Sequence, residues 1–96
     1  MNTWKFDSPK NTAVIADRYF VEKKEPCLYV VHDELDGGWQ FLTKNTSGNS
    51  SRAVVVSLAT AVSADPSIDE LFDLPLGWTA FRETNKSPWQ RRPGRP

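Results

Sequence analysis

The sequence predicts an α+β fold: a single small domain with an antiparallel sheet of four or five strands and two short helices on one face. Three observations lead there. Short runs rich in β-branched and aromatic residues recur at 12–21, 27–32, 39–42, 53–56 and 78–82, most of them closed by turn chemistry. Two stretches, 58–64 and 67–73, instead space apolar residues three and four apart behind residues that cap helices. Finally, 96 residues with 39% hydrophobic content, including four Trp, five Phe and two Tyr, suffice for one core and not for two.

Taken in order, residues 1–10 carry Trp4 and Phe6 ahead of Ser8-Pro9, the pattern of a short extended segment laid against the domain. Residues 12–21 (TAVIADRYFV) read as the first strand and 23–26 as a polar turn. Residues 27–32 (CLYVVH) and 39–42 (WQFL) flank Asp33-Glu34-Leu35-Asp36-Gly37-Gly38, whose glycines tolerate positive φ, so the two runs form an antiparallel hairpin. Alternation sets Trp39 and Phe41 on one face and Gln40 and Leu42 on the other. An exposed loop at 44–51 (KNTSGNSS) leads to a short buried strand at 53–56 (AVVV).

Ser57 caps a helix at 58–64 in which Leu58, Ala61 and Val62 share one side. Two caps compete for the second helix, at 67–73: Asp65 followed by Pro66, or Ser67 with Glu70 three residues on. Ile68, Leu71 and Phe72 form its buried stripe. Pro75 ends it by Leu74, and Pro75-Leu76-Gly77 turns the chain into a last strand on which Trp78, Ala80 and Arg82 share a face. The domain is expected to span 1–85, leaving 86–96 as a flexible, basic, Pro-rich tail.

The formal charge is zero, yet its distribution is uneven. Between Glu25 and Leu76, eight acids (Glu25, Asp33, Glu34, Asp36, Asp65, Asp69, Glu70, Asp73) face two bases, Lys44 and Arg52, for a net −6; from Glu83 onward the net is +3. One Cys and one His allow neither an internal disulfide nor a four-ligand zinc site, so no cofactor and no metal are expected. No basic segment precedes an apolar run and no window reaches membrane-span length, which points to the cytoplasm and no membrane contact. The sequons at Asn45 and Asn49 are therefore read as loop chemistry.

Three surfaces can be weighed. His32, Asp33, Glu34 and Asp36 cluster round the hairpin turn, but their spacing is not that of a calcium loop, and carboxylates on an open turn make poor general acids. Cys27 and His32 stand five apart on a strand and face opposite sides, which separates a thiol from its base. The tail's Arg91, Arg92 and Arg95 beside Trp89 offer charge and stacking to a nucleic acid, opposed by the acidic body. The acidic middle section offers a face for a basic protein partner, with Asp33, Glu34 and Asp36 supplying charge and Trp39, Trp78 and Arg82 supplying contact area.

The segments HDELDGGWQFL (32–42), ADPSIDELFDLPLGWTAFR (64–82) and SPWQR (87–91) resemble a group of small uncharacterised bacterial proteins marked by DGxWQF, DPS and LPxGW. That group is similar to a bacterial domain of unknown function linked to the immunity proteins of polymorphic toxins. The resemblance covers about half of the chain. It implies an α+β domain, a cytoplasmic setting and a protein partner, a toxin, with no catalytic residues to carry over. The expected function is a non-enzymatic protein-binding domain of the immunity type. A small hydrolase or metal-dependent enzyme using His32 and the nearby acids, and a nucleic-acid-associated protein using the tail, stay open as alternatives.

Overall fold

A computed structural model describes residues 3–46 and 50–95. One six-stranded sheet forms its frame, with strand order β4-β1-β3-β2-β5-β6. The strands are β1 (Ala13–Asp17), β2 (Tyr29–His32), β3 (Trp39–Leu42), β4 (Ala53–Ser57), β5 (Trp78–Phe81) and β6 (Gln90–Pro93). The α+β class matches the expectation, while two features of the sheet correct it. The sheet has six strands, and it is mixed, because β1 lies parallel to β3 with Ile15 opposite Gln40. All other neighbours are antiparallel.

The extra strand comes from the presumed tail. The segment 86–96 is expected to be flexible because it is Pro-rich, yet Gln90 to Pro93 pair with β5, Trp78 opposite Pro93. This is the sheet edge, where a residue without an N–H costs no ladder bond. At the opposite edge, β4 is a strand as expected but not a buried one: Val55 is 72% exposed, since an edge strand has only one covered face.

The stretch 12–21 divides at Asp17. Its side chain accepts a hydrogen bond from the Tyr19 N–H at 2.8 Å and so caps a one-turn helix, α1 (Arg18–Val21), that ends the strand. The expected helix at 58–64 is present as α2 (Leu58–Ala64), with Ser57 accepting from the Thr60 N–H. The second expected helix is instead a 3-10 helix, Pro66–Leu71, capped by Asp65. Three residues per turn align Ile68 and Leu71 and leave Phe72 off that line at 41% exposure, and a turn closed by the Leu74 N–H to the Leu71 carbonyl brings Leu74 into the core position assigned to Phe72.

The helices α1, α2 and Pro66–Leu71 pack on one face of the sheet. There Val14, Ala16, Val30, Trp39, Phe41 and Ala80 meet Phe20, Leu58, Ala61, Ile68 and Leu71 in one core, with Phe6 from the N-terminal segment. The register places Ile15, Tyr29, Val31, Gln40, Leu42, Val55, Thr79 and Phe81 on the other face. The C-terminal segment covers part of it: Thr79 Oγ1 donates to the Gly94 carbonyl at 2.6 Å, and Arg92 of β6 lies over the Phe81 ring.

A buried carboxylate closes the β4 end. Asp17 is fully buried and accepts from Arg52 Nε at 2.8 Å and from Thr46 Oγ1 at 2.6 Å, while Arg52 also reaches Glu25 at 2.6 Å. Burial alone would raise the Asp17 pKa; the hydrogen bonds from Arg52, Thr46 and the Tyr19 N–H outweigh it and hold the carboxyl below its ordinary range. The two sides of the loop after β3 are thereby tied to β1; residues 47–49 of the expected loop lie outside the described residues.

Candidate functional site

The predicted site residues separate into two groups. Arg82 is 5% exposed and directs its guanidinium inward. Nε and Nη2 donate to the Cys27 carbonyl at 3.1 and 2.9 Å, Nη1 to Ser67 Oγ at 3.0 Å, and Nη2 also to Asp65 Oδ2 at 2.6 Å. The Trp89 ring lies 4.0 Å from it and donates its own N–H to Ser67 Oγ. The same Asp65 that caps the 3-10 helix thus anchors the buried cation, and the DPS residues, the last strand and the chain after it meet at one point. Trp39 is 3% exposed and Trp78 packs half-buried against the core, on the side shared with buried Ala80. Trp39 and Arg82 therefore cannot supply partner contacts on the surface; the face they share is the covered one.

The acids of the turn stay outside. Asp33 Oδ1 accepts from the Leu35 N–H and Asp36 Oδ1 from the Gly38 N–H, both at 2.8 Å, and Gly37 takes φ +71°. These bonds shape the tip and leave Leu35 90% exposed between exposed Glu34 and Asp36. Asp33 also receives Arg95 Nη1 at 2.9 Å; the Leu35 N–H first, and then Arg95, lower its pKa against the opposing effect of burial.

The turn abuts the LPxGW segment. The His32 carbonyl accepts from the Gly77 N–H at 2.7 Å, and His32 Nδ1 donates to the Leu74 carbonyl at the same distance. Gly77 takes φ +81°, and a Cβ there would stand 3.1 Å from the Glu34 carboxylate. The motif is therefore a turn that seats a loop on the hairpin. His32 stacks on Trp39 with centroids 3.9 Å apart and planes at 11°, as their opposed positions in the β2–β3 ladder require.

Between this loop and the N-terminal segment opens a cavity of about 380 Å³, whose lining includes Asp7, Ser8, His32, Trp39, Phe72 and Leu76. None of the three turn acids hydrogen-bonds His32, whose Nδ1 is given to a backbone carbonyl. Among the described residues no group of three or more His, Cys, Asp or Glu is placed to hold a metal ion, and no helix is long and apolar enough to cross a membrane. Cys27, expected opposite His32 on one strand, precedes β2 and is fully buried; burial pushes its thiol up to about 12.

Sequence reasoning missed the cavity, because Asp7 and Ser8 join it only through tertiary packing. The hairpin register was the one available signal, since it pairs His32 with Trp39. Comparison with known protein families, characterised proteins and solved structures finds no match.

Proposed function

We propose that the chain is a non-enzymatic protein-binding domain of the immunity type, holding a basic partner at the end of the sheet formed by the β2–β3 turn and residues 72–77. One observation carries this reading: the acids that are left unpaired. Of the eight acids between Glu25 and Leu76, five are engaged, Glu25 by Arg52, Asp33 by Arg95, Asp65 by Arg82, Asp69 by Lys5 and Asp73 by Arg91. Among the described residues Glu34, Asp36 and Glu70 make no ion pair; Glu34 and Asp36 flank Leu35, with exposed Phe72 and Leu76 near by on the loop seated against the turn. An exposed Leu35 between two unpaired carboxylates suits a positively charged protein surface, where charge speeds encounter and apolar contact gives residence time.

The tail reading is weaker. Arg91 and Arg95 are held by Asp73 and Asp33, and Arg92 by the Phe81 ring, so the bases that a nucleic acid would need are directed at the protein itself. The test is a pull-down from the native host with the wild-type chain and a Glu34→Lys/Asp36→Lys variant. A partner of high pI retained by the first and lost by the second is the expected result. Equal retention by both, or none by either, would sink this reading.

A further inference from the structure

The two edges of the sheet are built differently. At one, β6 carries Arg91, Arg92 and Pro93, the charge and the missing N–H that discourage a further strand. At the other, β4 (AVVVS) has no charge and no proline, and its ladder to β1 runs through all five residues without a bulge. The uncharged run continues through α2 to Ala64, in a chain whose charged content is 25%. Exposed apolar side chains divide in the same way. Leu35, Phe72 and Leu76 belong to the turn end, whereas Ile15 and Val55 stand opposite each other in the β1–β4 ladder.

The register identifies the open backbone groups of β4. The Leu58 N–H donates to the Thr12 carbonyl at 2.8 Å, one step beyond the Ser57–Ala13 pair of the same ladder. Bonded residues alternate along an antiparallel strand, so Val54 and Val56 turn their N–H and C=O to β1 while Ala53, Val55 and Ser57 turn theirs away from it. Among the described residues no strand lies beyond β4 to receive them.

We infer that two copies of this chain join edge to edge through β4, antiparallel and centred on Val55. The two-fold sets Val55 opposite its own copy and Ala53 opposite Ser57. The two Val55 residues exchange N–H and C=O bonds, and each Ser57 N–H reaches the Ala53 carbonyl of the other copy. Ile15 and Val55 of both copies then form one apolar row across the joint, and no charged residue is among the opposed positions 53–57. Self-match selects a second copy over a foreign strand: the open positions are symmetric about Val55, so one surface supplies both halves of the joint. One pair of five-residue strands is a small interface, in the weak class below about 1,200 Å², which sets a Kd of roughly 100 µM. The β2–β3 turn takes no part, so the joint stands independently of the proposed function.

Sedimentation equilibrium of the full-length chain from about 10 µM to about 1 mM, with amide hydrogen exchange at both ends of that range, tests the joint. A monomer–dimer equilibrium is expected, weakened roughly tenfold in Val55→Lys, which opposes two like charges at the two-fold. In the wild-type chain, exchange at Val55 and Ser57 should slow by roughly fivefold at the high concentration, while Val54 and Val56, bonded to β1, are protected throughout. A chain that is monomeric at about 1 mM, a dimer that Val55→Lys leaves unchanged, or a dimer whose Val55 amide exchanges as in the monomer overturns the inference. A monomeric chain whose Val55→Lys variant loses a captured protein overturns it too, since the edge then takes a foreign strand.

Discussion

Arg82 shows how one side chain can define a local structure. It carries four hydrogen bonds that tie the Cys27 carbonyl to the Asp65–Ser67 cap, and it is shielded by Trp89. Arg82→Ala would strand the Cys27 carbonyl and leave the Asp65 carboxylate without its counter-ion, and a loss of about 3 kcal/mol is expected in urea unfolding. Asp17 is the counterpart at the other end. Because its folded pKa lies below the ordinary 3.8, its contribution is present above that pH and is lost as pH falls through the lowered value. Asp17→Asn should thus be clearly less stable than wild type at pH 7, with the gap narrowing below about pH 4. Cys27 has the opposite sense. Its pKa is raised from 9.0 to about 12, so the stability it contributes is complete below pH 9 and fades as pH approaches 12. At pH 8 a thiol reagent should label Cys27 only as fast as the protein opens, and mild denaturant should accelerate labelling; rapid labelling of the native protein would contradict its burial.

At the scale of the element, two backbone positions decide local cost. Gly77→Ala would put a side chain at φ +81° and 3.1 Å from Glu34, for a loss of about 1–2 kcal/mol by thermal melting, of which Glu34→Ala should restore only the steric part. Lys23, by contrast, already occupies φ +62° at the end of α1, so Lys23→Gly is expected to gain a few tenths to about 1 kcal/mol. What the sequence made legible follows the same division. The β2–β3 hairpin, α2 and its Ser57 cap could be read because their signals are local. The 3-10 geometry of Pro66–Leu71 could not, since Ile68, Leu71 and Phe72 match the α-helical spacing, and only tertiary packing shows that Leu74 is buried in place of Phe72. The turn acids were likewise legible as a site, whereas the cavity beside them was not, because no local pattern brings Asp7 to Leu76.

For the whole molecule, the C-terminal strand is the element most separable from the rest. All four of its residues are exposed, and its ties to the rest of the chain beyond the β5 ladder include Arg91 to Asp73, Arg95 to Asp33, the Gly94 carbonyl to Thr79 and Arg92 over Phe81, with Trp89 laid on Arg82 just before it. Removing residues 88–96 should lower stability by on the order of 1–2 kcal/mol and bare the edge of β5 to pairing with another copy. Thermal melts with and without about 1 M salt should show the full-length advantage shrinking but not vanishing, since salt screens the ion pairs and leaves the ladder and the Trp89 stack.

The position of β1 carries a further consequence, for how the protein is made. β1 emerges first from the ribosome, yet both of its neighbours, β3 and β4, are synthesised well after it, and one of them runs parallel. Until residue 57 has cleared the exit tunnel, Val14, Ile15 and Ala16 stand without a complete set of strands to pair with. A nascent chain stalled in that interval would present a bare, apolar, β-prone segment to its neighbours on the polysome, and vectorial synthesis is the stage at which this fold is most open to misassembly.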